Sequence, residues 1–135
     1  MDLLTLKRHL PSIEDGRWID ATELKSLGDM RVKVRGHSSR LVRETYAAKE
    51  RAAADDLKGD KRAETLMRIG KETLSEVGLV AIEGLTDDGE PVPVDAVRKM
   101  ILDPAFAPLS DLLASCAMLV DKTREADIKE VAGNS

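Results

Sequence analysis

From Met30 to Arg35 the chain alternates apolar and basic side chains without a break. A period of two puts Met30, Val32 and Val34 on one face of a strand and Arg31, Lys33 and Arg35 on the other. Residues 17–21 (Arg-Trp-Ile-Asp-Ala) are the expected antiparallel partner, so a β-hairpin is predicted over 17–35. Gly28-Asp29 supplies a turn signal, and Leu24 and Leu27, three apart, predict a single helical turn in the connection. Two strands alone are marginal, so this hairpin must pack on helices or pair with another copy.

Beyond Gly36 the pattern becomes helical, with Ser38 or Ser39 as the cap. Residues 40–57 form a charged helix with a thin apolar face: Leu41, Val42, Tyr46, Ala48, Ala52 and Ala53. After the break at Lys58-Gly59-Asp60, Ala63, Leu66, Met67, Gly70, Leu74, Val77 and Ala81 step mostly by three or four, and Ile69, Val80 and Ile82 widen that stripe. That spacing predicts a central helix running to about Gly84. Val94 to Leu102 is a short helix ended by Asp103-Pro104. Pro108 opens the last helix, whose stripe of Leu109, Leu112, Leu113, Cys116, Leu119 and Val120 is the most regular in the chain. Between the central and short helices lies Leu85-Thr86-Asp87-Asp88-Gly89-Glu90-Pro91-Val92-Pro93. Asp88-Gly89 is a strong turn pair, and the two prolines hold the backbone beyond it extended.

The expected fold is therefore mainly α: a compact helical domain of about four helices with a small N-terminal β-hairpin. Residues 1–16, broken by Pro11, read as a flexible or loosely docked arm. Residues 17–131 form the single domain, and residues 132–135 fray. The length of 135 residues suits one domain with a real core. Trp18, Tyr46 and Phe106 are the only aromatics, so that core must be aliphatic.

Charge divides along the chain. Five basic residues (Arg31, Lys33, Arg35, Arg40, Arg43) and no acid lie between 31 and 43, although the net charge is −4. Asp87, Asp88, Glu90 and Asp95 form an acidic counterpart. The basic patch lacks interleaved aromatics, so nucleic-acid binding is disfavoured against a solvated face or a protein contact. A lone cysteine permits no intrachain disulfide. The start lacks an apolar leader-like run, no stretch reads as membrane-spanning, and no membrane association is expected.

Candidate chemistry is sparse. His9 and His37 have no metal-ligand spacing around them, and Cys116 sits in an apolar stripe with no flanking base. Gly36-His37-Ser38-Ser39 lacks the spacing of a phosphate loop. No catalytic residues, cofactor or metal are expected.

The order of segments resembles a known family. Gly16-Arg17-Trp18 comes first, then the alternating strand ending Val32-Lys33-Val34-Arg35-Gly36. Charged helices come next, then Glu83-Gly84-Leu85, the Asp87–Pro93 segment, a short helix and Asp103-Pro104. This looks like the tail assembly chaperones of long-tailed, lambda-like bacteriophages and related prophages, over residues 16–125. At Ile82 such proteins often carry Trp.

The resemblance implies a non-enzymatic protein of the host bacterial cytoplasm. It would bind the phage tape measure protein, keep it soluble, help recruit tail tube protein, and be absent from the finished virion. It also implies a frameshifted long form, with which Ala132-Gly133-Asn134 is compatible. An apolar helical client needs a groove or stripe that accepts helices. Leu41, Tyr46, Ala48 and Ala52 offer one such face, and Leu109, Leu112, Leu113 and Cys116 another, the latter reading first as core. Met30, Val32 and Val34 are the residues through which copies would pair into a homo-oligomer. The competing readings are a structural virion component, such as a head-tail connector or tail completion protein, and a nucleic-acid-binding regulator.

Overall fold

The computed structural model describes residues 13–133, with side chains described as far as Lys122. Strands β1 (Arg17–Ile19) and β2 (Arg31–Val34) form the expected hairpin. The connection holds a 3-10 turn at Lys25–Leu27 that buries Leu27. On the outer face the Arg31 guanidinium lies 4.7 Å from the centre of the Trp18 ring. On the inner face Ile19, Val32 and Val34 are fully buried.

Helices α1 (Arg40–Ala52) and α2 (Arg62–Thr73) come next. Here the structure departs from the sequence reading. The central helix stops at Thr73, passes through a π-helical turn at Leu74–Gly78, and becomes a third strand, β3 (Leu79–Glu83). The sheet order is β1-β2-β3, antiparallel throughout, with a bulge at Lys33/Val34. A continuous apolar run such as Leu79-Val80-Ala81-Ile82 has no period of its own. Gly78 and the open edge of β2 decide it: strand pairing satisfies a row of backbone groups that a longer helix would leave on β2 unpaired.

A second small hairpin joins β4 (Thr86–Asp87) to β5 (Glu90–Pro91). Asp88 and Gly89 have φ of 53° and 83°, the paired left-handed conformation that two-residue hairpin turns require. Helix α3 (Val94–Ile101) lies beyond it. Asp103 then caps a 3-10 turn at Pro104–Phe106 by accepting the Ala105 N–H at 2.9 Å. Helix α4 (Ala107–Gly133) closes the chain. Of the predicted frayed tail, Ala132 and Gly133 are helical; Asn134 and Ser135 lie outside the described residues.

The core is one cluster: Ile19, Val32, Val34 and Leu79 from the sheet, Leu27 and Leu74 from turns, Val97 and Ile101 from α3, and Leu113, Cys116 and Val120 from α4. The segment Pro104–Lys122 has the length and mean hydropathy, 1.2, of a membrane-crossing helix, where the sequence reading saw no such stretch. In the fold its regular stripe packs on β2 and α3.

The predicted arm falls mostly at 1–12, outside the described residues. Its end is docked. Ile13 is buried, the Glu14 carbonyl accepts from Arg35 Nε at 2.6 Å, and the Glu14 carboxylate accepts from the Arg40 N–H at 3.2 Å. Gly16, at φ 93°, lies where a Cβ would press on the Val34 carbonyl at 3.1 Å.

Candidate functional site

Sheet, α3 and α4 share the main core, while α1 and α2 pack on each other and on the π-helical turn. Between the α1–α2 pair and α4 runs an open groove of about 310 Å³.

The sequence pattern explains why the groove is apolar. Of the stripe that the spacing predicted, Ile69 and Leu74 are buried and Leu66 and Gly70 half-buried, while Ala63 and Met67 are exposed. Helix α2 buries Thr65, Ile69 and Thr73, four apart, with the Thr73 hydroxyl donating to the Ile69 carbonyl at 2.7 Å. A threonine that returns its donor to its own helix can be buried cheaply. Met67, Gly70, Lys71, Thr73 and Leu74 line the groove, facing Ser110, Asp111, Ala114, Ala117 and Met118 of α4. Val42 and Tyr46 come from α1, and Arg35, Gly36, His37 and Gly78 complete the lining. Met67 is 65% exposed and Met118 57%. Two flexible thioethers therefore stand open to solvent on opposite helices of the groove.

Polar contacts fasten the elements around the groove to one another. Arg35 donates to the Val77 carbonyl at 2.9 Å as well as to Glu14, so one guanidinium joins the π-helical turn to the incoming chain. The Asp121 carboxylate on α4 accepts from the backbone N–H groups of His37 and Ser38, both at 3.0 Å, pinning the loop before α1. Lys49 on α1 binds Glu76 at 2.9 Å and Glu72 at 3.3 Å. The bond to Glu76 holds the Lys49 ammonium above its ordinary pKa. The bond from Arg68 holds the Glu72 carboxyl below its own. The His37 and Tyr46 rings meet edge-on, 5.7 Å between centres.

The sequence candidates scatter around this site. Tyr46 lines the groove; Leu41, Ala48 and Ala52 are exposed elsewhere on α1. Leu109 and Leu112 are half-buried against the core, while Leu113 and Cys116 are fully buried and unavailable to any partner. Burial, with Glu23's charge adding to it, pushes the Cys116 thiol up to about 11. The pairing of copies through Met30, Val32 and Val34 is corrected: β2 is the central strand, both its edges are taken, and Val32 and Val34 are inside.

The basic patch is dispersed. Arg31 pairs with Glu83 at 3.0 Å, Arg40 with Glu44 at 2.7 Å, and Arg35 is engaged with carbonyls. Lys33 is half-buried, and Arg43 is exposed on α1. The sequence reading missed Met67 as a surface residue and the strip Ala114, Ala117, Met118. Their spacing of three and four was visible beside the stronger leucine stripe. Among the described residues, no group of three or more His, Cys, Asp and Glu side chains is placed to hold a metal ion. No protein-family model, curated protein or solved structure matches the chain.

Proposed function

We propose that this chain is a bacteriophage tail assembly chaperone, and that the groove between α1, α2 and α4 receives apolar helical stretches of the tape measure protein. The observation that carries the reading is the groove itself: apolar, open along one side, and edged by the exposed methionines Met67 and Met118. Its volume is at the lower end of the range for ligand pockets, about 300–1,000 Å³. That suits a few side chains of a passing helix better than a whole buried ligand. Methionine is unbranched and polarisable, so such an edge adapts to many apolar sequences and holds none of them permanently. A client that must later be released into the tail tube calls for binding of that kind.

The test is co-expression with the tape measure protein encoded beside this gene, with a solubility assay and a pull-down as readouts. The wild-type chain keeps the client soluble and co-purifies with it. The pair Met67→Glu and Met118→Glu, both at exposed positions, loses the client, and Leu41→Glu retains it. A client that stays insoluble and unbound beside the wild-type chain overturns the proposal. Recovery of the chain from purified virions at stoichiometric amounts would make it a structural component instead.

A further inference from the structure

We propose that the groove selects its occupant by charge as well as by apolar surface. The occupant is an amphipathic helix whose apolar stripe has an acidic flank, set against Lys71 of α2, and a basic flank, set against Asp111 of α4. The inference rests on the reading of the groove as a helix-binding site and names the chemistry of the helix it takes.

Both charges stand in line with the apolar lining. Lys71 follows Met67 by four residues and precedes Leu74 by three, and Asp111 precedes Ala114 by three. Residues three and four apart share one side of a helix, so each charge sits on the groove side of its wall. Lys71 is half-buried and Asp111 exposed. Among the described residues neither takes part in an ion pair.

The other charges near the groove are engaged. Beside Lys71, the Glu72 carboxylate is shared by Lys49 and Arg68, and Lys49 also holds Glu76. At the Gly36 end, the Arg35 guanidinium donates to the Glu14 and Val77 carbonyls, while the Asp121 carboxylate accepts from the His37 and Ser38 N–H groups. Arg35 and Asp121 are opposite in sign, and His37 carries no formal charge at pH 7. That leaves Lys71 and Asp111 as the free charges of the lining, one on each wall and opposite in sign.

A helix lying between the walls takes water away from both groups. A charge covered without an opposite partner loses solvation, and a like charge across the contact is repelled. The pair of walls therefore admits a helix with one flank of each sign and disfavours helices whose flanks are alike, which is selection by exclusion as much as by attraction.

The experiment measures binding of three synthetic peptides to the full-length chain by fluorescence anisotropy. The peptides share one apolar helical stripe and differ in its flanks: one acidic and one basic, both acidic, or both basic. Turning a helix end for end exchanges its flanks, so a single mixed peptide suffices. The wild-type chain is expected to bind the mixed peptide most tightly. Lys71→Glu, with two acidic walls, should prefer the doubly basic peptide, and Asp111→Lys, with two basic walls, the doubly acidic one. Each preference should be about fivefold, the scale of one exposed charge pair made or lost. A variant that gains a new preference has folded. Lys99→Glu makes the same change in net charge as Lys71→Glu, at an exposed position of α3 that does not line the groove, and should keep the wild-type order. A wild-type chain that does not prefer the mixed peptide, variants that keep the wild-type order, or a Lys99→Glu shift equal to that of Lys71→Glu each overturn the proposal and leave helix binding standing. If the wild-type chain binds none of the peptides, the groove is not a helix site and both readings of it fall.

Discussion

Gly36 and Asp121 are far apart in sequence and bear on one another directly. A Cβ placed on Gly36 would collide with Asp121 Oδ1 and lie 2.6 Å from its Cγ. Gly36 is not among the positive-φ residues, so the glycine is there for space and not for conformation. The space holds a carboxylate that accepts the N–H groups of His37 and Ser38. Asp121→Ala removes that acceptor. A hydrogen bond to a charged group contributes about 1.5–3 kcal/mol, and water restores part of it where the donor is exposed, as at His37. The expected cost is about 2 kcal/mol. Gly36→Ala forces the same carboxylate aside and breaks the same two bonds, so its cost is also about 2 kcal/mol. In the double variant the methyl group of position 36 enters the space the carboxylate has left. Its cost should be about 2 kcal/mol, not about 4, a coupling of roughly 2 kcal/mol. Urea unfolding of all four proteins, monitored by circular dichroism, measures the cycle, provided the m-values agree. Additive costs would refute the argument, because they would mean that Gly36 is constrained by something other than Asp121.

Three other outcomes are expected. Gly84→Ala, at φ 82° with its Cβ position overlapping the Asp29 carbonyl oxygen, must displace backbone, whereas Gly89→Ala, at φ 83°, meets only open space. The first should cost at least about 3 kcal/mol and the second about 1, the left-handed term alone, by urea midpoints. Ile69→Ala should cost about 2–5 kcal/mol, since Ile69 is fully buried, while Met67→Ala should stay within about 0.5 kcal/mol; the reverse order would refute the assignment of Met67 to the surface. Cys116, buried and with its thiol pushed up to about 11, should ignore a thiol reagent at pH 8 in the native protein and react at once in denaturant.

Sequence and fold agree where one signal acts alone. The alternation around β2, the Asp88-Gly89 turn and the leucine stripe of α4 each have a single period or a single turn chemistry, and each appears as read. The readings failed where two signals overlapped. On α2 the apolar residues and the threonines both repeat at helical spacing, and hydrophobicity favours the former. Thr73 is buried with its hydroxyl donating to the Ile69 carbonyl, and the bulkier Met67 stays outside. At Leu79–Glu83 an apolar run fits either a helix or a strand, and only the free edge of β2 chooses. That strand then put Val32 and Val34 at the centre of a sheet, which removed the pairing surface that an isolated hairpin would have offered. The groove itself was not legible, since it is made by what two helices fail to bury against each other, and no spacing within one helix records that.

Its persistence can still be argued from the residues. α1 and α2 are joined to the rest of the fold through the loop at Gly36 and the π-helical turn, and each junction is fastened by a polar contact: Asp121 at the first, Arg35 at the second. These bonds fix the positions of the two junctions relative to α4 and to the incoming chain. Small residues, Gly70, Ala114 and Ala117, then line the gap where leucines would have filled it. The same features make physical sense if the missing packing partner is a helix that arrives and leaves. Under the proposed function, bulky side chains from that helix would supply the volume the small residues leave out, and the methionines would adjust to its sequence.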